Sequence, residues 1–111
     1  MTNTPYTIAL TTLSSEADAK KIARLLVEES LAACVSIIPE VRSFYKWKSQ
    51  ICEDVECVLL IKTRKELLDS LENFFRLHHP YELPELVLLP VSSGKKEYFQ
   101  WIDEGLNIQA P

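Results

Sequence analysis

The sequence predicts an α+β fold, with helices packed on one antiparallel sheet. Three observations favour this class: segments that alternate between apolar and polar residues, segments with apolar residues at helical spacing, and the order in which they occur. That order is β-α-β-β-α-β, followed by a short helix. At 111 residues the chain fits a single domain, residues 1–111, and needs neither a disulfide nor a metal to fold.

The first strand and the first helix have clear local signals. Residues 6–12 alternate and are rich in β-branched side chains, which is typical of a strand. Ser15 precedes Asp18 by three residues, the spacing of a helix N-cap and its acidic partner. A helix should then run to about residue 30, with apolar residues on one face at Ala19, Ile22, Ala23 and Leu26.

A long β-hairpin should follow this helix. Residues 33–47 alternate, and Pro39 within them cannot donate a ladder hydrogen bond, so it predicts an edge or a bulge. After a polar turn at residues 48–50 the chain returns through residues 55–63. Since so long a hairpin must project from a small domain, its aromatic residues predict a homo-oligomer.

The second half of the chain completes the fold. A second helix should run from about Arg64 until Pro80 ends it. Residues 86–91 are apolar at nearly every position, which predicts a strand buried on both faces, and a short helix should follow Gly94. This order is the ferredoxin-like arrangement, with two helices on one face of the sheet. Because the other face also needs a cover, dimerisation or trimerisation through the sheet is expected.

Composition limits the partners and the compartment. The net charge is -4 and the pI is near 5.2, which argues against a nucleic acid or an anionic membrane as the main partner. No apolar run approaches the length of a membrane span, and residues 1–5 lack the features of a secretory signal. Three cysteines without a CxxC pair suit a reducing compartment, so a cytoplasmic location is predicted.

The segment 78–85 holds both histidines of the chain and two of its six prolines. Pro80 and Pro84 fix their own φ angles and keep His79 and Leu83 out of the α region. Side chains on this segment should therefore point in defined directions. Rigid loops of this kind often carry binding groups.

Several separated motifs, in order from about residue 7 to 103, resemble the CutA family of divalent cation tolerance proteins. They are 31–35 (LAACV), 38–39 (IP), 43–47 (SFYKW), 61–63 (IKT), 79–82 (HPYE), 84–85 (PE), 89–91 (LPV) and 101–102 (WI). The resemblance implies a ferredoxin-like protomer that assembles as a trimer through its hairpin, similar in architecture to the PII signalling proteins. It also implies copper tolerance and binding of Cu2+ or another divalent cation.

A metal site is the first candidate site that the resemblance implies. In some bacterial members the ligands are thought to be a cysteine that ends the first strand and the histidines before the Pro-Tyr motif. The histidines correspond to His78 and His79, but the cysteine position holds Thr11, whose hydroxyl is a poorer copper ligand than a thiolate. Glu85 could add a carboxylate. The structural alternatives are that His78 caps the second helix and that Glu85 forms a salt bridge.

A cleft between subunits is the second candidate site. A mixture of aromatic and charged residues could bind a small anionic ligand there, namely Tyr45, Trp47, Lys62, Tyr81 and Glu82. The structural alternative is that Tyr45 and Trp47 anchor a subunit interface, as aromatic residues commonly do.

The sequence lacks the motifs of an enzyme, since it has no glycine-rich phosphate loop and no nucleophile motif. We therefore expect a non-catalytic homotrimer that binds or responds to copper and other divalent ions. The alternatives are a PII-like sensor that binds a small anionic metabolite between subunits and contacts a partner protein, and a scaffold without a ligand.

Overall fold

The computed structural model describes residues 4–108 and has the predicted α+β architecture. Four strands and three helices follow one another as β1 (Tyr6–Leu13), α1 (Glu16–Glu28), β2 (Cys34–Trp47), β3 (Gln50–Arg64), α2 (Leu68–His78), β4 (Val87–Pro90) and α3 (Lys96–Gly105). A 3-10 turn, Lys65–Leu67, precedes α2. The strands form one antiparallel sheet in the order β2-β3-β1-β4. In residues 4–108 no helix is long and apolar enough to cross a membrane.

Helix α1 begins at the predicted cap. The Ser15 side chain accepts a hydrogen bond from the backbone N–H of Asp18 at 3.2 Å. The helix ends at Glu28, slightly before the predicted boundary, because Ser30 adopts a left-handed φ of 57°. The backbone N–H of Leu31 then donates back to the Leu26 carbonyl at 2.9 Å, which closes the helix end.

The hairpin has the predicted bulge at Pro39. The β2–β3 register shifts between Ile38 and Val41, and Glu40 within the shift has a φ of 58°. The turn is shorter than predicted, since Lys48 and Ser49 alone form it, both with left-handed φ, and Gln50 already pairs with Trp47. The hairpin contributes to an elongated molecule of 51 × 32 × 23 Å.

One face of the sheet packs on α1 and α2 and holds the main core. Its fully buried side chains come from all of these elements and include Ala9, Leu13, Leu26, Leu59, Ile61, Leu71 and Phe75. Helix α3 packs elsewhere, around Tyr6, whose ring stacks on Phe99 with centroids 4.2 Å apart. Asp103 of α3 accepts hydrogen bonds from the Tyr6 hydroxyl at 2.9 Å and from Arg64 at 2.8 Å.

The prediction that β4 is buried on both faces is wrong. It is a short edge strand, and Val87 and Leu89 are 46% and 44% exposed. Their side chains lie on the sheet face opposite the main core, which we call the outer face. It consists of Ile8, Leu10, Ile38, Val58, Leu60, Val87 and Leu89, which the register places side by side. All seven are partly or largely exposed, so the apolar run reflects a second apolar face and not burial within the protomer.

Candidate functional site

The loop after α2 is fixed to the end of β1 by His79. This residue is 8% exposed, and its backbone N–H donates to the Phe75 carbonyl at 2.8 Å, which ends the helix. Its ring edge lies against Phe75 with centroids 5.5 Å apart. The Pro80 that follows cannot continue the helix, so the loop turns at a defined point.

Both ring nitrogens of His79 have hydrogen-bond partners. Nε2 lies 3.0 Å from the Thr12 carbonyl and 3.2 Å from Thr11 Oγ1, while Nδ1 accepts from the backbone N–H of Tyr81 at 3.1 Å. Because a carbonyl can only accept, Nε2 carries the proton and the ring is neutral. Burial lowers the pKa of His79, although the hydrogen bond to Thr12 and the charge of Asp18 act in the opposite direction.

The other predicted metal ligands lie apart from this ring. His78 is exposed in the last turn of α2, where its ring packs on Phe74 with centroids 4.5 Å apart, and Glu85 is exposed on the loop. Thr11, at the family's cysteine position, does lie beside His79. Over residues 4–108, however, no group of three His, Cys, Asp or Glu side chains is placed to hold a metal ion.

A groove between the hairpin and the loop brings together four of the five predicted cleft residues. We call it the hairpin groove. It has a volume of about 920 Å³ and is lined by Ser14, Tyr45, Trp47, Asp54, Glu56, Tyr81, Glu82 and Leu83. The predicted residues among these are Tyr45, Trp47, Tyr81 and Glu82. This groove lies within one protomer, whereas the cleft predicted from the sequence lies between subunits.

Two tyrosines orient two carboxylates in the hairpin groove. The Tyr45 hydroxyl donates to Asp54, and this hydrogen bond, with partial burial, raises the pKa of Tyr45 to about 12. The Tyr81 hydroxyl donates to Glu56 at 2.8 Å, and burial together with this bond raises the pKa of Tyr81 to about 12. Both hydroxyls therefore stay protonated at neutral pH, and the charges of the groove come from its carboxylates.

Sequence reasoning missed Asp54 and Glu56. Both lie on β3, where Glu56 pairs with Val41 and Asp54 pairs with Ser43, and the register places them on the same face as Tyr45 and Trp47 of β2. The alternation of side chains along the hairpin could have identified them. Every second residue of a strand lies on the same face, and directly paired residues of neighbouring strands share that face.

Lys62 does not line the hairpin groove. Its ammonium donates to Ser36 Oγ at 2.7 Å and lies 3.7 Å from Cys34 Sγ, both on the neighbouring strand β2. Lys62 pairs with Cys34, the first residue of β2, so these contacts hold it at the end of the hairpin away from the turn. The cationic group that an anionic ligand would need is therefore outside this groove.

Comparison with known proteins identifies the family. The family model for the CutA1 divalent ion tolerance protein matches residues 7–105. The chain belongs to the CutA family. Protein CutA of Homo sapiens is 47% identical over 94 residues, which are 85% of this chain and 52% of that protein. The divalent-cation tolerance protein CutA of Thermus thermophilus is 43% identical over 97 residues, which are 87% of this chain and 94% of that protein. The chain thus spans about half the length of the human CutA.

Solved CutA structures have the same fold. The divalent cation tolerance protein of Thermus thermophilus superimposes with a TM-score of 0.87 at 42% identity, over 90% of this chain and 97% of that one. CutA1 of Oryza sativa gives a TM-score of 0.89 at 34% identity, over 95% and 96%. A CutA of Arabidopsis thaliana is described as chloroplastic and one of Archaeoglobus fulgidus as periplasmic, so the described locations differ among relatives.

The buried His79 predicts a loss of stability on acidification. Its pKa lies below its usual value of 6.5 in the folded protein, so the unfolded chain takes up a proton first as the pH falls. The contribution of His79 to the free energy of unfolding is therefore present above about pH 6.5 and is lost as the pH falls below that value. Urea unfolding at about pH 7.5 and about pH 5.5 measures the free energy of unfolding at each pH. We expect this free energy to fall more between the two pH values in the natural protein than in His79→Gln, which removes the titrating group. Equal drops in both proteins would contradict this role of His79.

Proposed function

We propose that this CutA family member acts in divalent cation tolerance by binding or responding to copper and other divalent ions, as a homotrimer and without catalysis. The observation that carries this proposal is the family match over residues 7–105, together with a fold shared with solved divalent cation tolerance proteins. This chain spans about half of the length of human CutA. We therefore extend the activity of the longer relatives to this chain only as a proposal.

The donor groups of a single protomer do not fit a complete metal site. His79 uses both ring nitrogens within the fold, whereas His78 is exposed. A metal that displaced the existing bonds of His79 would have to free a ring nitrogen that fixes the loop to β1. We therefore propose that metal contact begins at His78, with Glu85 as a second candidate ligand on the loop and with further ligands from a second copy of the chain.

The outer face supports assembly. Its seven apolar residues form a patch across β1, β2, β3 and β4, and contiguous exposed apolar patches on proteins usually mark interfaces. A second copy would cover apolar side chains with the same kind of surface. The number of copies, three, is implied by the resemblance to the CutA family.

The compartment is a further part of the proposal. Cys34, Cys52 and Cys57 are all free thiols in the structure, which is consistent with a reducing environment. We propose a cytoplasmic location on this ground.

A second candidate function is that of a sensor which binds a small molecule, as the PII-like alternative suggests. The observation that favours it is the hairpin groove, whose volume of 920 Å³ suits a small ligand. The anionic ligand expected from the sequence is not favoured, because Lys62 lies outside the groove.

Isothermal titration with Cu2+ and Zn2+ tests the metal proposal. We expect binding in about the micromolar range for the natural protein and at least about a tenfold loss for His78→Ala, because imidazole is a common ligand of both ions. His79→Gln should retain most of the affinity if metal contact begins at His78.

Glu104→Gln is the matched control, since Glu104 is exposed on α3. It should bind both ions as the natural protein does. Unchanged binding by His78→Ala would exclude His78 as a ligand. If the natural protein binds neither ion, direct metal binding is excluded and only an indirect response to metal is left of the proposal.

A further inference from the structure

We propose that the hairpin groove binds an organic cation, an ammonium or guanidinium group attached to an apolar body. This inference rests on the second candidate function, the binding of a small molecule in the groove, and it names the class of ligand. It is independent of metal tolerance.

The charge of the groove selects a cation. Three carboxylates line it, those of Asp54, Glu56 and Glu82, and none of the described lining residues is a lysine, an arginine or a histidine. Like charges repel and opposite charges attract across such a surface, more strongly where side chains exclude water. A phosphate or carboxylate ligand would meet three negative groups without a cationic partner.

The walls of the groove select an apolar body. Trp47 is 63% exposed, Tyr45 is 43% exposed and Leu83 is 87% exposed, so a ligand would find large apolar surfaces that are not filled by the protomer itself. Indole and phenol rings also attract cations at their faces. Aromatic rings beside carboxylates therefore suit a ligand that combines a positive group with an apolar part.

The carboxylates are positioned to accept further hydrogen bonds. Tyr45 donates a hydrogen bond to Asp54, and Tyr81 donates one to Glu56, which holds the two carboxylates in the groove. A carboxylate accepts several hydrogen bonds, so each can still accept from an N–H group of a ligand. Since no three His, Cys, Asp or Glu side chains in residues 4–108 form a metal site, an organic cation fits the groove better than a bare metal ion.

The test uses three probes of similar shape and different charge: phenethylamine, phenethyl alcohol and phenylacetate. The chain has two tryptophans, so Trp101→Phe leaves Trp47 as the only tryptophan and its fluorescence reports on the groove. The assembled protein is titrated with each probe. We expect the amine to bind at least about tenfold more tightly than the neutral and anionic probes.

Two charge variants and a control localise the site. Glu82→Gln and Glu56→Gln should each weaken amine binding by about three- to tenfold, because each removes one negative charge from the groove. Glu104→Gln, which removes an exposed charge on α3, should leave it unchanged. Ligand-observed NMR on the protein with both tryptophans checks that Trp101→Phe has not altered binding.

The other outcomes separate the two proposals. Tighter binding of phenylacetate would overturn the cationic class and keep the small-molecule site. Equal binding of the three probes, or binding that Glu56→Gln and Glu82→Gln do not weaken, would also overturn the cationic class. No binding of any probe would overturn both the class and the site.

Discussion

Replacing Leu89 with glutamate is expected to separate the assembled protein into single chains. Leu89 is 44% exposed on β4 and lies opposite Ile8 in the register, within the outer face. If a second copy covers this face, the new carboxylate must lose water without a partner, which is far more costly than the loss of an apolar contact. Sedimentation velocity should show the 12.7 kDa chain in the variant and three times that mass in the natural protein.

Val27→Glu is the matched control for this prediction. Val27 is also 44% exposed, but it lies on α1, on the helical side of the sheet. The Val27→Glu substitution should therefore leave the assembly intact. If Leu89→Glu remains assembled while it stays folded, the outer face is not the interface.

Phe75→Ala is expected to cost about 3–5 kcal/mol in the free energy of unfolding, because truncating a buried aromatic side chain leaves a cavity. Phe75 is 2% exposed in α2, within the main core, and its ring also lies against His79. The loss should therefore combine weaker packing of α2 with a less firmly held loop. Urea unfolding at a fixed protein concentration measures it, since assembly also contributes to the apparent stability.

Leu77→Ala in the same helix provides the comparison. Leu77 is 69% exposed, so its replacement should change the free energy of unfolding by no more than about 0.5 kcal/mol. Similar losses at the two positions would show that the core of the protomer does not dominate stability. In that case the assembly would be the main source of stability.

The elements with local signals were predictable from the sequence. The Ser15 cap and the bulge at Pro39 are confirmed, because capping and proline chemistry act within a few residues. The surroundings of β4 were not predictable in the same way. An apolar run indicates only that both faces of a strand avoid water, and it does not distinguish burial within a protomer from burial between copies.

The candidate site was predictable only in part. The aromatic residues Tyr45 and Tyr81 line the same groove, but Lys62 bonds to β2, and Asp54 and Glu56 line the groove instead. Adjacent histidines also have unlike surroundings, since His79 is buried and His78 is exposed. These differences depend on which strand and loop come together, and that is set by tertiary packing.

The bulge in β2 determines the chemistry of the hairpin groove. Before it, even-numbered residues such as Ile38 share a face with Val58, whereas after it the odd-numbered Val41 shares that face with Glu56. One extra residue thus places the aromatic side chains of β2 beside the carboxylates of β3. If the same residues paired without the bulge, Arg42 would lie opposite Asp54, and Lys46 in place of Tyr45 and Trp47 would share the face of the carboxylates. The bulge, although its residues do not line the groove, therefore decides which side of the hairpin tip faces the loop.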